Sequence, residues 1–417
     1  MALNWVWVGF FTVAFATAVV RWLLGEHGIL QALMTAMFDG ARSGFEISLG
    51  LAGVMALWLG LMRVGERAGM IELLARLAGP LLRRLFPAVP QGHPAQGAMT
   101  MNISANLLGL DNAATPLGLK AMRELQTLNT GAPGTASNAQ IMFVVMNTAG
   151  LTLIPTSVIA IRQSIALKQG LGADFNAADI FLPTLLVTFI SLLAGVLAVA
   201  VCQRLPLWRA RFLLPVVAVA GLLAMAVTAL ARLPAEQAAR VAGTTGAGVI
   251  LSVVMLFVLA GAFKRINVYD AFIDGAKEGF GVAIQIVPYL IAILIAIGVF
   301  RAAGCMDFLL SGIGAGVAAM GWDTDFLPAL PVGLMKVLSG AGARGLMIDV
   351  MQTHGVDSFA GRLAAIVQGS TETTFYVLAV YFGSVGIQHA RHALACALFA
   401  DAVGLAAAIG VGYAMLR

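Results

Sequence analysis

Charge is what this sequence has least of. Asp, Glu, Lys and Arg make up 11% of its 417 residues, where a soluble domain carries about a quarter. So little charge cannot coat a chain of this length in water, so a soluble globular protein is excluded and most of the surface must face lipid. Cysteine is nearly absent. Cys202, Cys305 and Cys396 sit apart in apolar segments with no CxxC, which argues against a zinc site or a disulfide framework. Walker A, HExxH and catalytic-triad spacings are missing as well. No enzymatic activity and no ATP hydrolysis are expected, so any active transport would be secondary. The net charge of +5 is scattered between apolar runs and makes no stripe for nucleic acid. Gly340, Gly342 and Gly345 satisfy GxGxxG, but no strand precedes them and no βαβ unit surrounds them. No cofactor and no metal are expected.

What is present is hydrophobicity, at 60% of residues and a mean hydropathy of +0.92. Runs near the ~20 residues that cross a bilayer occupy 5–24, 47–62, 180–202, 212–231, 243–263, 282–300 and 393–416. Less uniform candidates lie at 139–161 and 361–382. The first run lacks a basic n-region and is read as a retained helix, not a signal peptide. Residues 70–85 and 306–320 are too short or too charged to cross and read as amphipathic or re-entrant. Residues 98–122 and 327–351 are apolar but interrupted by Gly, Pro, Asn and Asp, with Gly109 and Pro116 as the expected interruptions in the first. Such broken helices need a protein-lined or water-lined cavity.

The chain also repeats itself. Residues 37–45, MFDGARSGF, return at 272–280 as FIDGAKEGF, with five of nine positions identical and an offset of 235, Asp39 to Asp274. The same offset aligns 68–74 with 303–309. Two gapless matches at one spacing mark a duplication. Each unit is expected to contain a helix, an amphipathic entry around Asp-Gly-Ala, a second helix, a re-entrant piece, a broken hairpin and two more helices. Residues 1–205 form the first repeat, 241–417 the second, and 206–240 a linker carrying the unmatched helix 212–231. Charge then orients them. Arg63, Arg67, Arg76, Arg83 and Arg84 crowd one stretch, whereas its equivalent holds Arg301 with Asp307, Asp323 and Asp325. The positive-inside rule places these equivalents on opposite sides. The expectation is an all-α polytopic membrane protein of two inverted-topology repeats. It makes nine crossings, with the N-terminus cytoplasmic and the C-terminus outside.

Polar residues at membrane depth mark the candidate site, because each costs free energy in lipid, about 2.5–3.5 kcal/mol for a charge. Asn102, Ser104, Asn106, Asp111, Asn112 and Thr115 fall in the first broken segment, followed by Asn147 and Thr148 beside a Gly and a Pro. The second half offers Lys336, Ser339 and Arg344, then Gln368, Ser370, Thr371, Glu372 and Thr373. The structural alternative for the amides is glue between helices, and for Glu372 an ion pair with Lys336 or Arg344. Amides in one half with Lys, Arg and Glu in the other suit a small polar or zwitterionic solute. A metal ion would want several Cys, His or carboxylates converging.

These segments resemble a known family. NISANLLG at 102–109, NAATP at 112–116 and the stretch from Asn147-Thr148 to LIPT at 153–156 are similar to spore maturation protein A. SGAGARG at 339–345, QGSTETTFY at 368–376 and YFGSVG at 381–386 are similar to spore maturation protein B. The resemblance covers about residues 1–205 and 240–417 and implies a fusion of the two. It implies membership of the wider Gate, or nucleoside-recognition, group, with the Asp39 and Asp274 motifs opening two Gate domains in a bacterial cytoplasmic membrane. It further implies traffic of a cell-wall product such as D-alanine or a short peptide. The expected partners are the lipid bilayer, a small solute, a coupling proton or sodium ion, and a second copy of the chain. The alternative is a non-transporting scaffold for D,D-carboxypeptidase metabolism.

Overall fold

The computed structural model describes residues 2–108, 111–150, 152–153, 155–171, 175–205, 217–218, 221, 225 and 235–416. The expected linker helix 212–231 lies almost entirely outside them. The described chain is helical and contains no strand. Its helices are α1 (Ala2–Leu23), α2 (Ile29–Arg67), α3 (Met70–Leu85), α4 (Pro94–Leu107), α5 (Asp111–Thr127), α6 (Asn138–Thr148), α7 (Thr156–Lys168) and α8 (Phe181–Gln203). After the linker come α9 (Ala235–Phe263), α10 (Val268–Ala302), α11 (Cys305–Ala319), α12 (Leu330–Leu338), α13 (Gly340–His354), α14 (Phe359–Ser370), α15 (Thr374–Gly383) and α16 (Ala393–Met415). Eight of these helices precede the linker and eight follow it. Among the described residues, six helices are long and apolar enough to cross a membrane: α1, α2, α8, α9, α10 and α16. The short α3, about 24 Å at 1.5 Å per residue, falls short of the ~30 Å hydrocarbon core.

One expectation changes. The Asp-Gly-Ala motif is not a separate entry before a second helix, because α2 runs unbroken through 39 residues and α10 through 35. Glycine weakens a helix interior by about 1 kcal/mol relative to alanine. Here the glycines are held by packing.

Two compact units emerge, each drawing on both halves of the sequence. Unit 1 comprises Met1–Leu57, Ser157–Phe175 and Ala276–Gln368; unit 2 comprises Trp58–Thr156, Asn176–Gly275 and Gly369–Arg417. The repeats are a relation of sequence, whereas these units are made by packing. In unit 1 a Cβ on Gly40 would lie 3.0 Å from the Leu294 carbonyl, and one on Gly44 would meet Ile291 at 2.9 Å. A Cβ on Gly279 would meet the Met55 carbonyl at 2.4 Å. As the α2 number rises, its α10 partner falls, so the two helices are antiparallel there. The Trp7 indole donates to Ala292 at 3.0 Å and Arg21 to Ala303 at 2.9 Å, fixing α1 along α10.

Unit 2 repeats the glycine contact with the roles exchanged. A Cβ on Gly275 would lie 2.3 Å from the Leu59 carbonyl. Leu59 is the equivalent of Leu294, and Gly275 of Gly40. Equivalent surfaces that contact each other in this reciprocal way form an isologous pair, and the repeated motif is that contact. The second sequence match is a turn. Gly69 and Gly304, between α2 and α3 and between α10 and α11, have φ of 76° and 81°, a region that glycine enters without steric cost. A second reciprocal pair in unit 2 joins α8 to α16. A Cβ on Gly195 would meet Ala400 at 3.2 Å, and one on Gly404 would meet the Ser191 hydroxyl at 3.1 Å.

Candidate functional site

Four interruptions of helix frame the polar residues. In unit 2, α4 ends at Leu107 and α5 begins at Asp111, α6 ends at Thr148 and α7 begins at Thr156, and α14 ends at Ser370 and α15 begins at Thr374. In unit 1, Ser339 alone separates α12 from α13. Of the two interruptions expected in the first broken segment, one is corrected. Pro116 lies inside α5 and interrupts nothing. Gly109, the other expected interruption, lies outside the described residues; Asp111 and Asn112 open α5, their side chains also lying outside them. As the sixth residue of α5, Pro116 gives up the N–H that would reach the carbonyl of residue 112, yet the helix runs on to Thr127.

An unwound stretch leaves backbone groups that must be paired. In unit 2 the breaks pair with one another. The Leu153 N–H donates to the Leu107 carbonyl at 2.9 Å, and the Glu372 N–H donates to the Thr148 carbonyl at 2.9 Å. The side chains add to this. Asn102, fully buried, donates through Nδ2 to the Ala114 carbonyl at 2.8 Å and to the Tyr381 hydroxyl at 3.3 Å. Asn106 Nδ2 donates to Asn147 Oδ1 at 2.8 Å, and the Tyr381 hydroxyl approaches the same oxygen at 3.4 Å. Asn147 Nδ2 donates to Phe143 at 2.8 Å, and Thr148 donates to Val145 at 2.9 Å. The Tyr381 ring stacks on Phe143 with centroids 5.8 Å apart. Its hydroxyl occupies space that a Cβ on Gly118 would enter at 2.2 Å.

Glu372 lies against Gly150, whose Cβ would meet the Glu372 Cγ at 3.1 Å. Each is the second residue of its break. The glycine leaves room for the acid. The Thr374 hydroxyl, at the start of α15, donates to the Asp401 carboxylate on α16 at 2.6 Å. Thr371 packs where a Cβ on Gly404 would stand.

Of the predicted residues, then, unit 2 brings Asn102, Asn106, Asn147, Thr148 and Glu372 together, with Thr371, Thr373 and buried Ser370 on the same break. Ser104 is buried on α4, and Thr115 is half-buried on α5. Unit 1 holds the rest. Ser339 caps α13 by accepting from the Gly342 N–H at 3.0 Å, and Gln368 donates to the Gly340 carbonyl at 3.5 Å. Lys336 is buried on α12, and Arg344 is half-buried on α13.

Sequence reasoning missed Tyr381, Asp401 and Arg162. Asp401 had the same signal as Glu372, a lone acid in an apolar span. Arg162 is fully buried on α7, with its guanidinium 5.2 Å from the Phe175 ring centre. Tyr381 had no signal beyond its type. The cysteines are not all isolated, because Cys202 and Cys396 sulfurs lie 3.9 Å apart where α8 and α16 pack.

With this geometry in place, the resemblances are specific. A family model described as Gate, nucleoside recognition, matches residues 48–164 and 283–388. The two matches begin one repeat offset apart and lie C-terminal to the Asp39 and Asp274 motifs, which therefore precede the matched segments instead of opening them. Spore maturation protein A of Bacillus subtilis (strain 168) is 39% identical over 188 residues, 45% of this chain and 89% of that protein. Spore maturation protein B of the same organism is 41% identical over 161 residues, 39% of this chain and 87% of that protein. Each relative is spanned nearly whole by under half of this chain, as a fusion of the two requires. No solved structure matches the chain.

Proposed function

We propose a function from one premise: this chain belongs to the Gate family, described as nucleoside recognition. It is a multi-pass membrane protein. Our reading is an integral membrane secondary transporter of a small polar or zwitterionic solute, working by alternating access of inverted repeats. It has no enzymatic activity and sits in the bacterial cytoplasmic membrane with its N-terminus inside and its C-terminus outside.

The observation that carries the reading is the meeting of three helix breaks in unit 2, through Leu153 to Leu107 and Glu372 to Thr148. Non-helical backbone at membrane depth is tolerated where protein or a water-filled cavity surrounds it. Discontinuous helices are also where secondary transporters hold solute and coupling ion. The antiparallel packing of α2 and α10 supports the inverted arrangement. Asn106, Asn147 and Glu372 are the residues assigned to the solute, with Glu372 and Asp401 available to a coupling proton or sodium ion. D-alanine, a short cell-wall peptide and a nucleoside are the candidate solutes.

Uptake into proteoliposomes tests this, with labelled D-alanine, a dipeptide and uridine offered separately under proton and sodium gradients. We expect uptake of one class, reduced about tenfold, equivalent to ~1.4 kcal/mol, by Asn106→Ala or Glu372→Gln. Absence of uptake for all three classes overturns the reading in favour of a scaffold. Uptake that ignores both substitutions shows that the site is elsewhere.

A further inference from the structure

The Cys202 and Cys396 thiols face each other in unit 2, with their sulfurs 3.9 Å apart where α8 and α16 pack. The pair is one step of an antiparallel seam. Further along it the Ser191 hydroxyl donates to the Ala400 carbonyl at 3.1 Å, and a Cβ on Gly195 would meet the Ala400 Cβ at 3.2 Å. On the other side of the pair, the Gln203 amide lies 3.4 Å from the His392 ring and donates to the Asn138 carbonyl at 2.9 Å. Contacts on both sides therefore hold the two backbones together across the thiols. The two sulfurs differ in access. Cys202, two residues before Arg204 at the end of α8, is exposed, whereas Cys396 is 4% exposed. The third cysteine, Cys305, is buried in unit 1, its thiol against the Thr17 hydroxyl at 3.4 Å.

We propose that Cys202 and Cys396 form a redox-active dithiol, which closes to a disulfide across the α8–α16 seam by exchange with a low-molecular-weight disulfide. The exposed Cys202 thiolate attacks one sulfur of the reagent RSSR, the reagent's S–S bond breaks, and one RS⁻ leaves. The product is a mixed disulfide on Cys202. Cys396, too buried to meet the reagent itself, then attacks the Cys202 sulfur. The mixed disulfide breaks, a second RS⁻ leaves, and the two thiol protons end on the two RSH formed. Two protein thiols are oxidised and one RSSR is reduced to two thiols. Bonding requires the sulfurs to approach by roughly 2 Å, a shift that rotation about the two Cα–Cβ bonds supplies. Cys202 precedes the linker and Cys396 follows it, so closure ties the two halves of the sequence covalently.

The test treats the reduced, purified full-length chain with glutathione disulfide, quenches it in acid, alkylates the remaining thiols after denaturation and reads the intact mass. The reduced chain shows three alkylated thiols. After treatment we expect one, Cys305, with no glutathione retained. Cys396→Ser should trap glutathione on Cys202, and Cys202→Ser should leave Cys396 unoxidised. Thermal unfolding shows whether the bond forms in the folded chain. A native cross-link restrains the unfolded state and raises the midpoint, so the rise should appear on oxidation, reverse with dithiothreitol and be missing from both variants. Three alkylated thiols after treatment, glutathione retained on the unsubstituted chain, a disulfide that includes Cys305, or an oxidised chain that melts no higher than the reduced one overturns the proposal. The transport reading stands or falls separately, because neither mass nor midpoint depends on uptake.

Discussion

Tyr381 shows how much one side chain can organise without announcing itself in the sequence. Its hydroxyl meets Asn102 and Asn147, its ring lies on Phe143, and its space is kept open by Gly118. Tyr381→Phe keeps the ring and removes the hydroxyl, so Asn102 loses one of two acceptors and Asn147 Oδ1 keeps only Asn106. We expect a loss of about 1 kcal/mol, the usual size for one intramolecular hydrogen bond, read as a lowered thermal midpoint. The asparagines themselves were legible, because amides four apart on an apolar helix have few places to go. Their partner was not, since one tyrosine in an apolar run looks like any other core aromatic until its neighbours are known. Asp401 was legible by the rule that singled out Glu372. It passed unnoticed because no Gly, Pro or amide stands beside it in sequence.

Among the elements, the paired long helices show where packing overrides local preference. Glycines in the Asp-Gly-Ala motif suggest a helix boundary when only propensity is weighed. They lie mid-helix because α2 and α10 approach too closely for any side chain. Gly275→Ala drives a Cβ to 2.3 Å from the Leu59 carbonyl and 2.6 Å from the Arg63 Cβ. Overpacking of this kind costs roughly 1–3 kcal/mol. Gly281, further along α10, has nothing within 4 Å of where its Cβ would stand; Gly281→Ala should be neutral or stabilising by up to ~1 kcal/mol. Equal effects of the two substitutions on thermal unfolding would show that helix propensity, not close approach, governs the motif. The breaks were readable because Gly, Pro, Asn and Ser cluster there. The continuity of α2 was not, because it depends on a helix more than two hundred residues away.

For the whole molecule, the duplication was visible in sequence as two short matches, and the described residues hold eight α-helices on each side of the linker. The packing cuts across that division. Each compact unit takes segments from before and after the linker, so neither half alone contains the residues of a complete unit. Residues 1–205 and 241–417 expressed separately should be unstable, and co-expressed they should co-purify as a one-to-one complex. Two independently stable halves that ignore each other on size exclusion would contradict the assignment of segments to units. Sequence periodicity reports what a segment is. It is silent on which distant segment covers it, and that silence is why the repeats were legible and the units were not.

The exchange of roles between Gly40 and Gly275, and again between Gly195 and Gly404, has a bearing on ancestry. A surface that is complementary to its own duplicate needs no second gene to find a partner. Two identical copies of one half, inserted in opposite directions, could make both contacts as a homodimer. Tying the copies into one chain would release each from serving two orientations. That freedom is what lets Glu372 stand opposite Gly150, an acid and an empty place that no symmetric pair could hold at once.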